Sequence, residues 1–156
     1  MNKLSLLALS AASLLASCTS NKQTESTEVE STDTIAAVDL NGQWYMERIA
    51  INDSVFVNPS EVVPDVKQYI IFDDSTYCVQ TNCNSISGAY IQKGDSITLC
   101  DGAMTEMACE NMATEDMLRK VIPAIATVTV ENDSTITLNA AQTSEQIVLR
   151  KATENK

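Results

Sequence analysis

TNCNSISGAY, residues 81–90, and MTEMACEN, residues 104–111, decide how this chain is read. The first places Cys83 between two asparagines at the end of a strand-like run, with Gly88 and Tyr90 close behind. The second places Cys109 after Thr105, Met107 and Ala108. A cysteine in such a setting can be a nucleophile, a metal ligand or half of a bridge. The chain of 156 residues has no histidine. That removes Ser-His-Asp and Cys-His pairs and every imidazole ligand. The spacings Cys78-x4-Cys83 and Cys100-x8-Cys109 are also unlike the short ones of structural zinc sites. No catalytic, cofactor-binding or metal-ligating set is assigned, and a structural cysteine is the reading that remains.

The length suits one domain with a single core. A formal net charge of -11 argues against nucleic acid, whose phosphates need clustered Lys and Arg, and against direct adsorption to anionic lipid. Aromatic residues make up only 4%, which argues against a stacking platform for bases or sugars.

Residues 1–17 read as a lipoprotein signal peptide: Lys3, then an apolar run from Leu4 to Leu15, too short to span a bilayer, then small residues. Leu15-Ala16-Ser17-Cys18 resembles a bacterial lipobox, in which the chain is cut before the cysteine and the cysteine is acylated. Each buried CH2 contributes about 0.8 kcal/mol, so more than one acyl chain, palmitate for example, holds a protein on a membrane. Thr19, rather than Asp, after Cys18 favours the outer membrane, by resemblance to lipoprotein sorting rules. Residues 18–38 then form a Ser-, Thr- and Glu-rich tether that cannot bury enough surface to offset its ordering entropy. As a flexible chain it spans roughly 25 Å. The expected location is the cell envelope, with the domain facing the periplasm or the cell surface.

Lipidation of Cys18 also accounts for the odd number of cysteines, five. Cys78, Cys83, Cys100 and Cys109 remain, and an oxidising compartment predicts two disulfides. Cys78 and Cys83 lie along one strand at about 17 Å, beyond the ~7 Å that a bridge spans, so they do not pair with each other. The interleaved pairing (78–100, 83–109) and the nested one (78–109, 83–100) stay open on spacing alone.

The domain runs over residues 39–152, with residues 153–156 as a tail. Strands are expected at NGQWYMERIA, KQYIIFD, TYCVQTN, SGAYIQ and SITLC, the last two joined by a turn at Lys93-Gly94. Residues 51–65 are mostly loop, with a short strand at Val55–Val57. DGAMTEMACEN is an irregular loop before a helix from about Met112 to Ile122, whose apolar stripe is Met117, Leu118, Val121 and Ile122. Glu115 and Asp116 suit its N-terminal dipole, and Pro123 stops it. ATVTVE, TITLNA and EQIVLRK close the chain as three strands. The fold class is β-rich α+β: a curled antiparallel sheet or barrel-like domain with one helix.

Cys-Asn followed by Gly and Tyr, a hairpin, Thr-x-Met-Ala-Cys, a helix and a closing hairpin together resemble the META domain family, which includes HslJ-like heat-shock lipoproteins of the bacterial envelope. The matching positions are Trp44 in the first strand, then Cys83, Asn84, Gly88 and Tyr90, then Thr105, Met107, Ala108 and Cys109. The likeness runs from about Leu40 to Lys151. Asn82 stands where the family often has Gly, Glu106 where a basic residue is common, and Cys78 and Cys100 are additional. Each family motif carries one cysteine, so the resemblance implies a Cys83–Cys109 bridge, which leaves Cys78 with Cys100. Closing a loop of about 27 residues contributes roughly 3.5 kcal/mol in the chain-entropy view. Asn84 suits a left-handed backbone at the strand end. Trp44, Tyr90 and Met107 read as core, and Asp73-Asp74 as a turn rather than a calcium site.

Five Asp-Ser/Thr tripeptides begin at Asp33, Asp53, Asp74, Asp95 and Asp133. Asx-turn chemistry ahead of a strand explains four of them. Thr34, in the tether, is the candidate for O-glycosylation, since the tripeptide resembles a signal for that modification on exported bacterial proteins. The function expected is that of a non-enzymatic envelope lipoprotein. It would be held to the membrane by its N-terminal lipid and act through an envelope protein partner or in stress protection. The alternative is a carrier of a small apolar ligand, because Gly42-x-Trp44 also resembles the opening of a lipocalin-type barrel.

Overall fold

A computed structural model describes residues 38–153. The signal segment 1–17, Cys18, Thr34 and the tether up to residue 37 lie outside the described residues, as do residues 154–156. In chain order the elements are β1 (Gly42–Asn52), β2 (Val55–Val57), α1 (Pro59–Val62), β3 (Tyr69–Asp73), β4 (Thr76–Gln80), β5 (Ser85–Lys93), β6 (Ser96–Leu99), β7 (Ala103–Met104), α2 (Ala113–Val121), β8 (Ile125–Asn132), β9 (Thr135–Ala140) and β10 (Gln146–Lys151).

Alternation of apolar and polar residues builds each strand, and the apolar set faces inward. Trp44 and Met46, Ile70 and Phe72, Tyr77 and Val79, Ile97 and Leu99, Ile136 and Leu138, and Ile147 and Leu149 are all buried. The strands follow the circuit β1-β3-β4-β5-β6-β8-β9-β10, and β10 pairs again with β1. Eight antiparallel strands therefore close a barrel, which removes the sheet edges. The inward side chains form one continuous core cluster. β2 is added to the far part of β1, and β7 to β5. The seam between β6 and β8 is thin, with one register pair, Ser96 with Thr127, and a hydrogen bond from Val128 N–H to Asp95 O (2.8 Å).

Four hairpins carry the Asp-Ser tripeptides at their exposed tips. Asn52 Oδ1 accepts from the N–H groups of Ser54 and Val55, and Asn132 Oδ1 from that of Ser134. Asp74 takes a left-handed backbone (φ 51°) in the β3–β4 turn, and Gly94 does so (φ 62°) in the β5–β6 turn. Lys93 and Ser96 pair, so that last turn is Gly94-Asp95, one residue beyond the expected one.

Two short elements were not anticipated. The 51–65 loop contains the single turn α1, and the irregular loop after β6 contains β7. The long helix is α2 from Ala113, and Pro123 ends it by drawing Ile122–Ala124 into a 3-10 turn. Met117, Leu118, Val121 and Ile122 enter the core as expected. Among the described residues no helix is long and apolar enough to cross a membrane.

Candidate functional site

The two motifs meet in space. Cys83 and Cys109 form a disulfide with their Cα atoms 6.1 Å apart. Beside it the Asn84 side chain, 1% exposed, grips the loop that follows β7. Its Oδ1 accepts from Met107 N–H (2.8 Å) and from the Thr105 hydroxyl (2.9 Å), and its Nδ2 donates to Met107 O (3.0 Å). The amide thus pairs with one residue's backbone as a neighbouring strand would. Thr105 adds two contacts to Ser85: its N–H donates to Ser85 O (3.1 Å), and its hydroxyl accepts from Ser85 N–H (3.0 Å). Asn82 Nδ2 donates to Asn111 O (3.0 Å) at the far end of the loop.

The grip is supported from below. The Thr81 hydroxyl accepts from Asn84 N–H (2.8 Å) and Cys83 N–H (3.2 Å). Its single proton faces two acceptors, Asn84 O (2.8 Å) and Glu115 Oε1. Glu115 is fully buried, and its Oε1 also accepts from Asn84 N–H (3.3 Å), while its Oε2 has no partner. Gln68, also buried, ties the same connection to α1: its Nε2 donates to Pro59 O (3.1 Å) and its Oε1 accepts from Asn82 N–H (3.3 Å). Buried polar groups in this chain are costly unless paired, and most of these are paired with one another.

Residues 105–110 are nevertheless all exposed. The loop's backbone is fixed while the side chains of Glu106, Met107, Ala108 and Glu110 face solvent. Such a rigid loop suits recognition. Among the described residues no group of three or more Cys, Asp or Glu converges to hold a metal ion.

Several expectations are corrected here. Met107 is 59% exposed and is not core, because it is the Met107 backbone, not its side chain, that the fold uses. Asn84 has no left-handed backbone, and its amide is the feature that matters. Glu115 stands in the first turn of α2 as expected, and it is also fully buried. Cys78 and Cys100 are free thiols, not a second bridge. The reason is topological: β5 lies between their strands, with Cys78 opposite Ser87 and Cys100 N–H bonded to Ala89 O. Two strand spacings are about 9.5 Å, past the ~7 Å a bridge allows.

Trp44 and Tyr90 are core residues as expected. Trp44 Nε1 donates to Leu40 O (2.7 Å), and Tyr90 meets Phe72 edge to face at 5.1 Å. Gly88 is required by close approach. A Cβ there would stand 2.8 Å from the Tyr77 ring and 2.9 Å from Cys100 O. Tyr77 Oη donates to that same carbonyl (3.1 Å). Burial pushes the Tyr77 phenol above its usual 10.0, with smaller contributions from Cys100 and Asp101. Tyr90 is raised likewise, first by burial and then by Asp39, Asp74 and Asp73.

The fold is similar to that of a protein from Burkholderia xenovorans solved by NMR. The two share 14% identity over 74% of this chain and 85% of that one, with a TM-score of 0.60. It is also similar to a crystal structure of a DUF4847 family protein from Bacteroides vulgatus ATCC 8482, at 9% identity over 74% of this chain and 96% of that one, with a TM-score of 0.51. At such identities the likeness is one of fold alone. None of the curated proteins matches the chain significantly. The family model of the META domain matches residues 36–153, from before β1 to beyond β10, and so takes in both cysteine motifs and the loop they pin. The chain belongs to the META domain family.

Proposed function

We propose that this protein is a lipid-anchored lipoprotein of the bacterial cell envelope, placed at the outer membrane. Its META domain acts by protein contact, as in envelope stress protection, and not by catalysis. The contact surface is the loop from Thr105 to Glu110. The observation that carries this reading is the division within that loop: its backbone is locked by Asn84 and by the Cys83–Cys109 disulfide, while its side chains stand in solvent. A loop already ordered loses little entropy on binding, which favours affinity. The filled barrel interior favours this reading over a carrier that keeps an apolar ligand in the barrel mouth. The anchor rests on the Leu15–Cys18 lipobox.

Two measurements test the proposal. Intact mass of protein extracted from membranes should begin at Cys18 and include acyl chains, and Cys18→Ala should release the protein from the membrane. A photocrosslinker placed at Glu106 or Met107 in cells should give a discrete protein adduct. The same group at Ile91, exposed on β5, should not. Equal labelling from both places would remove the loop from the proposal.

A further inference from the structure

A second feature lies on the outside of the barrel. A cleft of about 570 Å3 is floored by the outer face of β1 and β10 and walled by residues 58–61, 64 and 66–68. That volume is within the range of small-molecule sites. β1 carries a bulge here: Met46 pairs with Leu149 and Arg48 with Val148, which leaves Glu47 as the extra residue. Bulges re-aim side chains, and this one sets the consecutive residues Glu47 and Arg48 on the cleft.

Two of the three cations that line the cleft stand around one aromatic ring. Lys67 Nζ is 4.9 Å from the centre of the Tyr45 ring, and Arg150 Cζ is 5.7 Å from it. The Arg48 guanidinium stacks on Phe56 at 3.6 Å, which fixes its position. Acidic residues outnumber basic ones 21 to 10 in this chain, so a cation would be expected to find a carboxylate. Among the described residues only Arg150 has one, Glu47. Arg48 and Lys67 have no ion-pair partner there and no side-chain hydrogen bond to another described residue. Val66 and Val148 add apolar surface beside Tyr45. Glu61 also lines the cleft. Three cations against Glu47 and Glu61 leave one net positive charge.

We propose that this cleft binds a small organic monoanion, a carboxylate on a flat or branched apolar body. The carboxylate lies between Arg48 and Lys67, where the guanidinium offers two parallel donors. The apolar body lies along Tyr45, Val66 and Val148. The two glutamates disfavour a dianion such as a phosphate monoester. This site is outside the barrel and on different residues from the loop of Thr105–Glu110.

The test is an NMR titration of the 15N-labelled full chain with phenylacetate and 4-methylpentanoate, alongside the neutral phenylacetamide and the dianion phenyl phosphate. Saturable shifts confined to Tyr45, Arg48, Lys67 and their neighbours are expected with both carboxylates, at a Kd of about 1 mM or below. Arg48→Gln and Lys67→Gln should each weaken binding about tenfold, the scale of one charge-assisted contact. Glu61→Gln should strengthen it and admit phenyl phosphate. Lys67 is exposed, so its variant keeps the fold even if the Arg48 variant does not. No saturation by either carboxylate up to about 10 mM, a weakness far outside the expected range, overturns the site. So does equal binding of phenylacetamide, or unchanged affinity in the Lys67 variant.

Discussion

Asn84 gives both ends of its amide to the backbone of Met107, a residue 23 positions away. An aspartate of the same shape would keep the acceptor, lose the donor to Met107 O and set two oxygens against each other. Asn84→Asp should therefore lower the unfolding free energy by about 1–3 kcal/mol, since the Met107 carbonyl loses its donor and faces an oxygen instead. Urea denaturation reads that loss, and faster hydrogen exchange at Met107 N–H locates it. Glu115 behaves differently. Its Oε1 is used and its Oε2 is not, so Glu115→Gln keeps the accepting oxygen and should be tolerated. Glu115→Leu takes one acceptor from the Thr81 hydroxyl and from Asn84 N–H, which keep each other's oxygens, and should cost about 0.5–1.5 kcal/mol. A Leu variant more stable than the parent would show that the network contributes nothing.

At the scale of elements, the β5–β6 hairpin and the loop beyond it depend on close approach and on a covalent tie. Gly88→Ala drives a methyl group into the Tyr77 ring and Cys100 O, and should destabilise by about 1–3 kcal/mol. Removing the tie with Cys83→Ala and Cys109→Ala together should cost about 2–5 kcal/mol, the usual range for a native disulfide in a small domain. Peptide mapping of alkylated, unreduced protein should recover the Cys78 and Cys100 peptides modified and the Cys83 and Cys109 peptides joined. A Cys78–Cys100 crosslink in that map would mean that β5 does not separate their strands as described.

For the whole molecule, closure is the governing fact. β1 and β10 pair along Trp44–Ala50 and Gln146–Lys151, so the first and last strands complete one barrel. A chain cut before β10 exposes two edges at once, β1 and β9, and should lose cooperative unfolding altogether. The closed core also sets an alkaline limit. Tyr77 and Tyr90 ionise above 10.0 in the fold and near 10.0 in the unfolded chain. The folded state therefore holds more protons above pH 10. Their contribution is complete below that pH and is lost as pH rises through the folded values, at no more than about 1.4 kcal/mol per pH unit for each group. Unfolding measured from pH 8 to 11 should show stability turning down above pH 10, with a shallower fall in Tyr77→Phe.

The amino-acid pattern by itself determined the strands, because alternation such as Trp44-x-Met46 or Ile147-x-Leu149 must put one face inward. It determined the helix with its stripe from Met117 to Ile122, and the hairpin turns to within one residue, because Asn, Asp and Gly supply turn geometry locally. It did not determine what depends on neighbours distant in sequence. Strand order decided that β5 separates Cys78 from Cys100, a separation that counting residues along the chain cannot reveal. Tertiary contact turned Asn84 from a turn residue into the clasp of a loop, and drew Glu115 into the interior to support it. The same loop leaves Met107 in solvent, since a motif residue can be needed for its backbone alone. The cluster of Arg48, Lys67 and Arg150 likewise exists only because β10 returns beside β1 and a bulge turns Arg48 outward.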